Sequence, residues 1–464
     1  MFPLGLAELA RICGGMLKGD GTAVAQRVVI DSRQVQAGDL FVALRGARAD
    51  GHTHLHEVFA RGAAGAIVEA DGPPRPEGLA VVVVPQSLGA LADMARAARA
   101  RLQAQVIGIT GSVGKTTAKD FLAFLLGGTQ ARVFAAPASY NSEIGLPLAV
   151  LAAPSNSRLL VLEYGINAPG EMAELIGIVR PDHAWLTAIA EAHLAGLKDL
   201  ATVAHEKCLL PAAVQEGKSI WFDSQTHEAA GEECQSWSGL CQQLDPLQLE
   251  GGLLRGAPGH WRLEHPRFGS LQIQLGAKHQ VATALTAAHI AASFGVSDED
   301  IAQRLPLLQP PAGRMSLHRF GPSLLIEDSY NANPASMRAA LEALAQWPSQ
   351  APKWAVLGTM GELGPGAKEA HRALGQQALA AGVQAVVTVG KGGAWIVEGS
   401  AQAGPSIPVF ACDSADEASL LLEQELPDEV VLLLKASRQA GLEVIRQRLL
   451  SARPRALNTV EEGA

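Results

Sequence analysis

Several features that would indicate common protein classes are missing from this sequence. The five cysteines are scattered and form no Cys-x-x-Cys pair, which argues against a disulfide framework and against a cysteine-ligated zinc site. The chain also has no basic run, and its formal net charge is −9. We therefore expect neither a nucleic-acid-binding surface nor a surface for anionic membranes.

Long apolar runs are also missing. No segment reaches the roughly 20 apolar residues that span a bilayer. The sequence does not open on a basic segment followed by an apolar stretch, the pattern of a secretory signal. We therefore expect a cytoplasmic protein that does not insert into membranes.

What the chain does have is the composition of a large globular protein. It contains 464 residues, of which 48% are hydrophobic and 18% are charged, and this length is too great for one hydrophobic core. Short β-branched segments alternate with helical segments, the pattern of parallel sheets covered by helices. We expect an α/β fold with a small N-terminal domain (1–85), a central parallel-sheet domain (86–312) and a doubly wound C-terminal domain (313–464).

The clearest functional signal is the segment Thr110-Gly111-Ser112-Val113-Gly114-Lys115-Thr116-Thr117. It follows an apolar strand-like run at 106–109 and precedes a helical segment. A glycine-containing loop of this kind points backbone N–H groups inward, and the helix N-terminus adds partial positive charge. The segment therefore predicts a nucleotide-phosphate site. Lys115 would neutralise the β- and γ-phosphates, and a hydroxyl of Thr116 or Thr117 would complete a Mg²⁺ shell.

Three further polar side chains follow strands of the same predicted domain. Glu163 ends the strand 159–162, where a Mg²⁺ ligand is needed, but a carboxylate there could equally cap the next helix. His193 follows the strand 184–187, and Lys207 lies fourteen residues further on. A lone histidine is more often structural and a lone helix lysine more often solvated, so only their relation to the phosphate loop makes these two residues candidates.

Polar segments of the same kind occur elsewhere in the chain. Asn141 lies in a turn that could bind a substrate or simply cap a helix. In the third domain, Asp328 and Asn331 follow a strand directly and suit a ribose, a base or a substrate, although they could form only a polar turn. Lys435 and Arg438 lie just past the last apolar strand and suit an anion. Ligands of doubly wound sheets bind beyond the carboxyl ends of the strands, so these positions are candidate ligand contacts.

The alternating histidines His52, His54 and His56 raise the question of a metal site. Residues four apart share one face of a helix, which is a common spacing for metal ligands. No nearby cluster of carboxylates and cysteines supports this interpretation. We favour a helix start or a surface position.

Together these motifs resemble the Mur ligase family. The segment Asp31-Ser32-Arg33-Gln34-Val35, followed by Gly38-Asp39-Leu40-Phe41-Val42, is similar to the UDP-binding domain of these enzymes, and the phosphate loop is similar to their ATP-binding domain. The third domain adds Gly313-Arg314-Met315, Asp328-Ser329-Tyr330-Asn331-Ala332-Asn333-Pro334 and Lys435-Ala436-Ser437-Arg438. The second of these three strings is typical of the members that add a dipeptide. The resemblance covers nearly the whole chain, in order.

The resemblance implies an ATP-dependent amide ligase of peptidoglycan precursor synthesis. Such members join D-alanyl-D-alanine to UDP-N-acetylmuramoyl-tripeptide and split ATP to ADP and phosphate. The tripeptide carboxylate attacks the γ-phosphate to give an acyl phosphate, whose carbonyl the dipeptide amine then attacks. The resemblance thus implies ATP and two Mg²⁺ ions as cofactors, the UDP-sugar peptide and the dipeptide as partners, and a monomer.

The resemblance also implies roles for individual residues. The implied catalytic residues are Lys115, Lys207, His193, Asp328 and Asn331. The implied metal ligands are Thr116, Glu163, His193 and Lys207, the last after carbamylation by CO₂, which would turn its cation into an anion. The implied nucleotide contacts are the loop Gly111, Ser112, Val113, Gly114, Lys115, Thr116 and Thr117, together with Arg314, Asp328 and Asn331. The implied substrate contacts are Ser32, Arg33, Asn141, Lys435 and Arg438.

Some positions differ from the family pattern. Gln280 and Thr283 replace asparagines at the helix where the family recognises adenine, and Thr359 replaces an aspartate. These changes leave two alternatives open: a Mur-like ligase with a different acceptor, and a non-catalytic protein that binds UDP-sugars or scaffolds other proteins. The intact phosphate and metal residues favour an active enzyme.

Overall fold

The structure is a computed structural model that describes residues 4–46, 49–245, 247, 253–402 and 407–452. Three sheets of five or six strands follow one another along the chain, and helices lie between their strands in sequence. The α/β fold class expected from the sequence is confirmed.

The N-terminal part is built around a five-stranded sheet. Its elements are β1 (Leu4–Gly5), α1 (Leu6–Ile12), β2 (Met16–Lys18), β3 (Val24–Ala25), β4 (Arg27–Val29), β5 (Asp39–Val42), α2 (Leu55–Ala60), β6 (Gly65–Glu69) and β7 (Val81–Val84). The strand order is β2-β7-β6-β5-β4, parallel except for the edge strand β2, and β1 pairs with β3 separately. Three of the four valines of β7 are buried, as expected for a strand covered on both faces.

The central part carries a fully parallel six-stranded sheet. Its elements are α3 (Ser87–Arg101), β8 (Gln105–Thr110), α4 (Lys115–Leu125), β9 (Val133–Ala135), α5 (Gly145–Ala152), β10 (Leu159–Glu163), α6 (Glu171–Ile178), β11 (His183–Leu186), α7 (Leu194–Leu197), α8 (Leu200–Ala212), β12 (Ser219–Phe222), α9 (Ser224–Ala230), β13 (Leu240–Gln243), β14 (Leu253–Ala257), β15 (His260–His265), β16 (Gly269–Ile273), α10 (Lys278–Ser293) and α11 (Asp298–Arg304). The strand order is β13-β12-β11-β8-β10-β9, and β14, β15 and β16 form a separate antiparallel sheet. The carboxyl ends of the neighbouring strands β11, β8 and β10 therefore meet at one edge.

The C-terminal part is a second doubly wound sheet. Its elements are β17 (Ser316–Phe320), β18 (Ser323–Asp328), α12 (Pro334–Ala345), β19 (Lys353–Gly358), α13 (Ala367–Ala380), β20 (Ala385–Val389), α14 (Gly393–Gln402), β21 (Val409–Cys412), α15 (Ala415–Glu425), β22 (Val431–Lys435) and α16 (Glu443–Ala452). The strand order is β17-β18-β22-β19-β20-β21, and only β17 is antiparallel. In the register of β18 with β22, Asp328 lies opposite Lys435, which brings two predicted site residues together.

One hydrophobic core continues from the N-terminal sheet into the central sheet through helix α3. Leu91 and Met94 of this helix are buried in the same cluster as Val82 of β7 and Val106 of β8. Helix α3 therefore packs against elements of both the N-terminal and the central part. The domain boundaries at residues 85 and 312 stay predictions.

Within the described part of the chain, no helix is both long enough and apolar enough to cross a membrane.

A buried histidine at the start of β11 makes stability depend on pH. The ring of His183 stacks on Trp221, meets Phe294 edge-on, and accepts a hydrogen bond at Nδ1 from the Ser219 N–H at 3.0 Å. Burial lowers the pKa of His183 from 6.5 to about 4. In that interval the unfolded chain binds a proton that the folded chain does not, so the free energy of unfolding falls as the pH falls.

We expect this loss to amount to at most about 3 kcal/mol between pH 6.5 and 4. Urea unfolding of the parent and of His183→Gln at pH 7 and pH 5 measures it, since glutamine can still accept the Ser219 bond but does not titrate. The parent should lose more stability than the variant. Equal losses in the two proteins would show that His183 is protonated in the folded state.

Candidate active site

The phosphate loop has the geometry that its sequence predicts. A Cβ at Gly111, where φ is 151°, would lie 2.1 Å from Thr187 Oγ1, so a side chain at this position is excluded. Gly114, the N-cap residue just before α4, has a φ of 83°, a conformation that favours glycine. The first N–H groups of α4 have no acceptor within the helix and remain available to an anion.

Ser112 of the phosphate loop forms hydrogen bonds with the protein itself. The Ser112 hydroxyl donates to the Ala190 carbonyl at 2.6 Å and accepts from the Ala190 N–H, and the Ser112 N–H donates to the Ala188 carbonyl. The loop after β11 is thereby tied to the phosphate loop. The polar groups of Ser112 therefore stabilise the conformation of the loop. The backbone N–H groups at the start of α4 are the ones available to a phosphate.

The ammonium group of Lys115 lies at the loop, where one hydrogen-bond partner holds it among the described residues. Its Nζ donates to the Gly111 carbonyl at 2.6 Å. Burial and the nearby Arg314 guanidinium lower the pKa of Lys115 to about 8, and Glu163 opposes this shift. An anion at the loop would stabilise the charged amine, so the site is electrostatically suited to a polyphosphate.

Glu163, at the end of β10, lies directly behind the loop. Its Oε2 accepts from the Thr116 hydroxyl at 3.1 Å and from the Asn141 side-chain amide at 3.4 Å. The side chain is fully buried, and within the described residues Oε1 has no hydrogen-bond donor. A buried carboxylate oxygen with free acceptor capacity beside a threonine hydroxyl is a donor set that suits Mg²⁺.

Lys119 is a buried cation that sequence reasoning missed. Its side chain is 1% exposed, its Nζ donates to the carbonyls of Ala136 and Ala138 at 2.5 and 2.6 Å, and it lies 3.5 Å from Glu163 Oε1. The ammonium therefore holds the chain that leads to Asn141 and balances the buried carboxylate. Its place one helical turn after Lys115 was the only signal in the sequence.

We expect Lys119→Met to destabilise the protein by about 3 kcal/mol, because the Glu163 charge then stays buried without its cation. Urea unfolding measures the loss. The double variant with Glu163→Gln should recover part of it, since neither charge then remains. If the double variant loses as much as the two single variants added together, Lys119 and Glu163 do not interact.

The predicted residues converge on one cavity of about 530 Å³, lined by both the central and the C-terminal parts. The predicted site residues that line this cavity are Ser112, Val113, Gly114, Lys115, Thr116, Thr117, Asn141, His193, Arg314, Asp328, Asn331 and Lys435. The predicted site residues outside its lining are Gly111, Glu163, Lys207, Ser32, Arg33 and Arg438. Most of the residues predicted to bind nucleotide therefore share one space.

The C-terminal wall of the cavity is held by a buried ion pair. Lys435, 1% exposed, lies 2.8 Å from Asp328 Oδ2 and donates to the Asn331 carbonyl at 2.9 Å. Its charge is thus already balanced within the protein, and it shapes the turn that carries Asp328 and Asn331. The turn ends where Asn333 caps α12 through a reciprocal pair of bonds with Ser336.

Arginine side chains extend this wall. The Arg314 guanidinium lies 4.2 Å from the centre of the Tyr330 ring, and its Nη2 is 3.3 Å from the Ser139 hydroxyl of the central part. The Arg438 guanidinium lies 5.4 Å from the same ring. Arg314 therefore bridges the two parts at the cavity, whereas Arg438 contacts Tyr330 and lies outside the cavity lining.

Gln280 is held by the main chain on both sides. Its amide accepts from the Gly276 N–H at 3.0 Å and donates to the Arg314 carbonyl at 3.0 Å. The side chain therefore ties the start of α10 to the segment that carries Arg314. Glutamine, in place of the asparagine of the family pattern, thus links α10 to the Arg314 segment beside the cavity.

Lys207 is fully buried on α8 and does not line the cavity. Its Nζ has no hydrogen-bond partner among the residues that the structure describes. Desolvation and the charge of Lys115 hold the pKa of Lys207 well below its usual value. Its neighbour Glu206 accepts no hydrogen bond from it: Oε1 accepts from the Gly170 N–H, and Oε2 has no partner in the described chain.

The N-terminal candidates lie apart from this cavity. The Ser32 hydroxyl donates to Glu57 at 3.1 Å, and Arg33 is a largely exposed partner of Asp31. His52 uses both ring nitrogens within the protein: Nδ1 contacts Asp50 at 2.6 Å, and Nε2 accepts the Glu69 N–H at 2.9 Å. His52 therefore has no lone pair free for a metal.

No group of three or more histidine, cysteine, aspartate or glutamate side chains in the described residues could hold a metal ion alone. A cation here would therefore need oxygen atoms of the nucleotide as well. That is the usual arrangement for Mg²⁺ at a triphosphate, with one or two carboxylates completing the shell. The Thr116 hydroxyl and the Glu163 carboxylate fit this requirement.

His193 and Glu362 form the contact between the two parts that sequence reasoning did not foresee. His193 Nδ1 lies 2.5 Å from Glu362 Oε2, and the contact lowers the pKa of Glu362. Both residues have left-handed backbones, with φ values of 55° and 61°. Such positions cost about 1 kcal/mol each or more and occur where the surrounding structure holds them.

Comparisons with known proteins agree with this geometry. The Mur ligase middle domain matches residues 109–238, the Mur ligase glutamate ligase domain matches residues 313–438, and the Mur ligase family catalytic domain matches residues 25–99. UDP-N-acetylmuramoyl-tripeptide–D-alanyl-D-alanine ligase of Bacillus subtilis is 32% identical over 92% of this chain and 94% of its own length.

Solved structures extend the likeness to the arrangement of the whole chain. MurF from Acinetobacter baumannii superposes with a TM-score of 0.82 at 28% identity, covering 97% of this chain and 99% of that one. MurF from Thermotoga maritima in complex with ADP gives 0.74 at 26% identity, covering 92% and 99%. With three family domains in order and full-length relatives, the chain belongs to the Mur ligase family.

Proposed function

We propose that this protein is the ATP-dependent ligase that joins D-alanyl-D-alanine to UDP-N-acetylmuramoyl-tripeptide. The observation that carries the proposal is the cavity between the central and C-terminal parts, which brings the phosphate loop and Lys115 opposite Arg314 and Asp328. The relatives matched over almost their full length carry this activity in their names. The T. maritima relative holds ADP, which supports ATP as the phosphoryl donor.

The chain's own residues suit the first half of such a reaction. Free N–H groups at the start of α4 and the Lys115 ammonium offset the charge of the phosphates, which otherwise repels an attacking carboxylate. Arg314 adds a second positive charge from the opposite wall. The tripeptide carboxylate would displace ADP from the γ-phosphorus and become an acyl phosphate.

The second half forms the amide bond. The dipeptide amine would attack the acyl carbon, lose a proton and expel inorganic phosphate, so one oxygen of the original carboxylate leaves with that phosphate. Because water would hydrolyse the acyl phosphate, the step needs an enclosed site, and closure of the two domains that line the cavity would provide one. Asn141 and Asn331, on opposite walls, offer amide groups that could orient the two substrates.

Mg²⁺ would be held by Thr116, Glu163 and His193 together with nucleotide oxygens, and it would neutralise phosphate charge. Lys207 fits carbamylation because burial lowers its pKa, which favours the neutral amine, and the neutral amine is the form that reacts with CO₂. The carbamate would supply the anion for a second metal ion. His193 and Lys207 thus act in the proposal as metal ligands.

Ser32 and Arg33 would contact the uridine diphosphate. Arg438 and Lys435 would lie on the substrate side of the cleft, and Lys435 would act through the turn that it holds.

A nucleotide-linked precursor and ATP are both cytoplasmic metabolites, so we assign the protein to the cytoplasm, where it would act as a monomer. The different-acceptor and scaffold alternatives have no observation of their own in the structure that favours them.

Isotope transfer tests the mechanism directly. The tripeptide substrate, with ¹⁸O in its terminal carboxylate, is incubated with the protein, Mg²⁺, ATP and D-alanyl-D-alanine. We expect one ¹⁸O atom in each released phosphate, because the carboxylate oxygen is the one that bonds to phosphorus. Amide product with unlabelled phosphate would contradict the acyl phosphate.

A further inference from the structure

One residue of the C-terminal part contacts a candidate metal ligand of the central part. Glu362 Oε2 lies 2.5 Å from His193 Nδ1, and the Glu362 carbonyl accepts the Ala195 N–H at 2.9 Å. Side chain and main chain of one residue thus contact the two ends of the same short segment. The position of Glu362 is therefore fixed relative to the His193 ring.

The chemistry of the pair determines which ring nitrogen carries a proton. An ionised carboxylate only accepts hydrogen bonds, so Nδ1 of His193 must be the donor. The His193 side chain is 19% exposed and lines the cavity. Across the described residues, its Nε2 has no hydrogen-bond partner. The ring therefore lines the cavity with Nδ1 bonded to Glu362 and Nε2 unused.

We propose that Glu362 is a positioning residue, which fixes the Nδ1–H tautomer of His193 so that the Nε2 lone pair is available to a divalent cation at the phosphates. The inference rests on the proposed function, in which His193 is a metal ligand. A carboxylate on the second nitrogen fixes the orientation and raises the basicity of metal-binding histidines in general. Imidazole is a poorer ligand than oxygen for Mg²⁺. A fixed ring orientation would therefore strengthen metal binding by His193.

The contact also makes the metal site depend on how the domains meet. Glu362 follows β19 of the C-terminal sheet, and the next turn packs on α7 through Gly364 and Ala195. His193 precedes α7 in the central part. The carboxylate therefore reaches the ring only in the arrangement in which these two domains touch, and cation binding and domain contact should favour each other.

The test compares Glu362→Ala with Glu362→Gln, which keeps a neutral acceptor, and with Glu342→Ala, which removes an exposed carboxylate of the same domain. Binding of Mn²⁺ in the presence of ADP is measured by electron paramagnetic resonance. We expect about tenfold weaker Mn²⁺ binding in Glu362→Ala, a smaller loss in Glu362→Gln and none in Glu342→Ala. Histidine ¹⁵N spectra, assigned with His193→Gln, should show Nδ1–H in the parent and a shift toward Nε2–H in Glu362→Ala.

Two readouts separate this role from a structural one. The midpoint of thermal unfolding should be the same within about a degree for all the Glu362 variants, whereas Mn²⁺ affinity and the tautomer change. Unchanged Mn²⁺ affinity in Glu362→Ala, or an unchanged tautomer, would overturn the inference. A parent that binds no Mn²⁺ with ADP would overturn it as well. A parent that binds Mn²⁺ normally yet forms no amide would overturn only the proposed function.

Discussion

Lys115→Ala is expected to lower kcat for amide formation by about 10²- to 10³-fold, because a preorganised charge at a transferred phosphoryl group contributes on this scale. In the part of the chain that the structure describes, the Nζ atom has one hydrogen-bond partner, the Gly111 carbonyl, so its removal leaves the loop supported by Thr187 and Ser112. Steady-state phosphate release at saturating substrates measures the change.

The matched control is Lys368→Ala, which removes an exposed lysine from α13. This control should keep the parent kcat, and the circular dichroism of both variants should match that of the parent. If Lys115→Ala kept full turnover, the assignment of the phosphate loop would be wrong, whatever the loop's shape.

Lys207→Ala is expected to lower turnover by about 100-fold or more, because the substitution removes the proposed carbamate, the anion that would support a metal ion at the phosphates. Short carboxylic acids such as acetate should restore part of the activity, because the alanine leaves space for a carboxylate where the carbamate would lie. Turnover is measured with and without the added acid.

Lys207→Met separates the chemistry from the packing. Methionine fills the space of the lysine stem but offers no amine, so we expect the same loss of turnover without rescue by acid. The variant should unfold at the same or a higher urea concentration, since Lys207 Nζ has no partner in the described residues. Full activity in Lys207→Met would exclude a role for a carbamate.

The parts of the site that could be predicted are those set by local sequence. The phosphate loop needs Gly111 because Thr187 leaves no room for a Cβ, and Gly114 because its φ is positive. Both requirements, and the apolar strand before them, are visible in one short stretch. Asp328 and Asn331 could be predicted for the same reason, because Asp328 is the last residue of the buried strand β18 and Asn331 lies in the turn after it.

Contacts between distant segments could not be predicted in this way. His193 and Glu362 are separated by 169 residues, and their meeting depends on how two complete domains pack. Lys435 looked suited to an external anion, but the register of β22 with β18 places it beside Asp328. The sequence pattern shows which side chain lies at the end of a strand. It does not show which residue that side chain contacts, because the contact depends on the order of the strands in the sheet.

The central claim is that the protein joins D-alanyl-D-alanine to UDP-N-acetylmuramoyl-tripeptide at the expense of ATP. Omitting one substrate at a time tests this claim most directly. Purified protein with Mg²⁺ is given ATP, UDP-N-acetylmuramoyl-tripeptide and D-alanyl-D-alanine, and each is left out in turn while phosphate release and product mass are followed. We predict phosphate release only when all three are present, with one UDP-N-acetylmuramoyl-pentapeptide formed per phosphate. Binding of the UDP-sugar peptide without any phosphate release in the complete mixture would contradict the account.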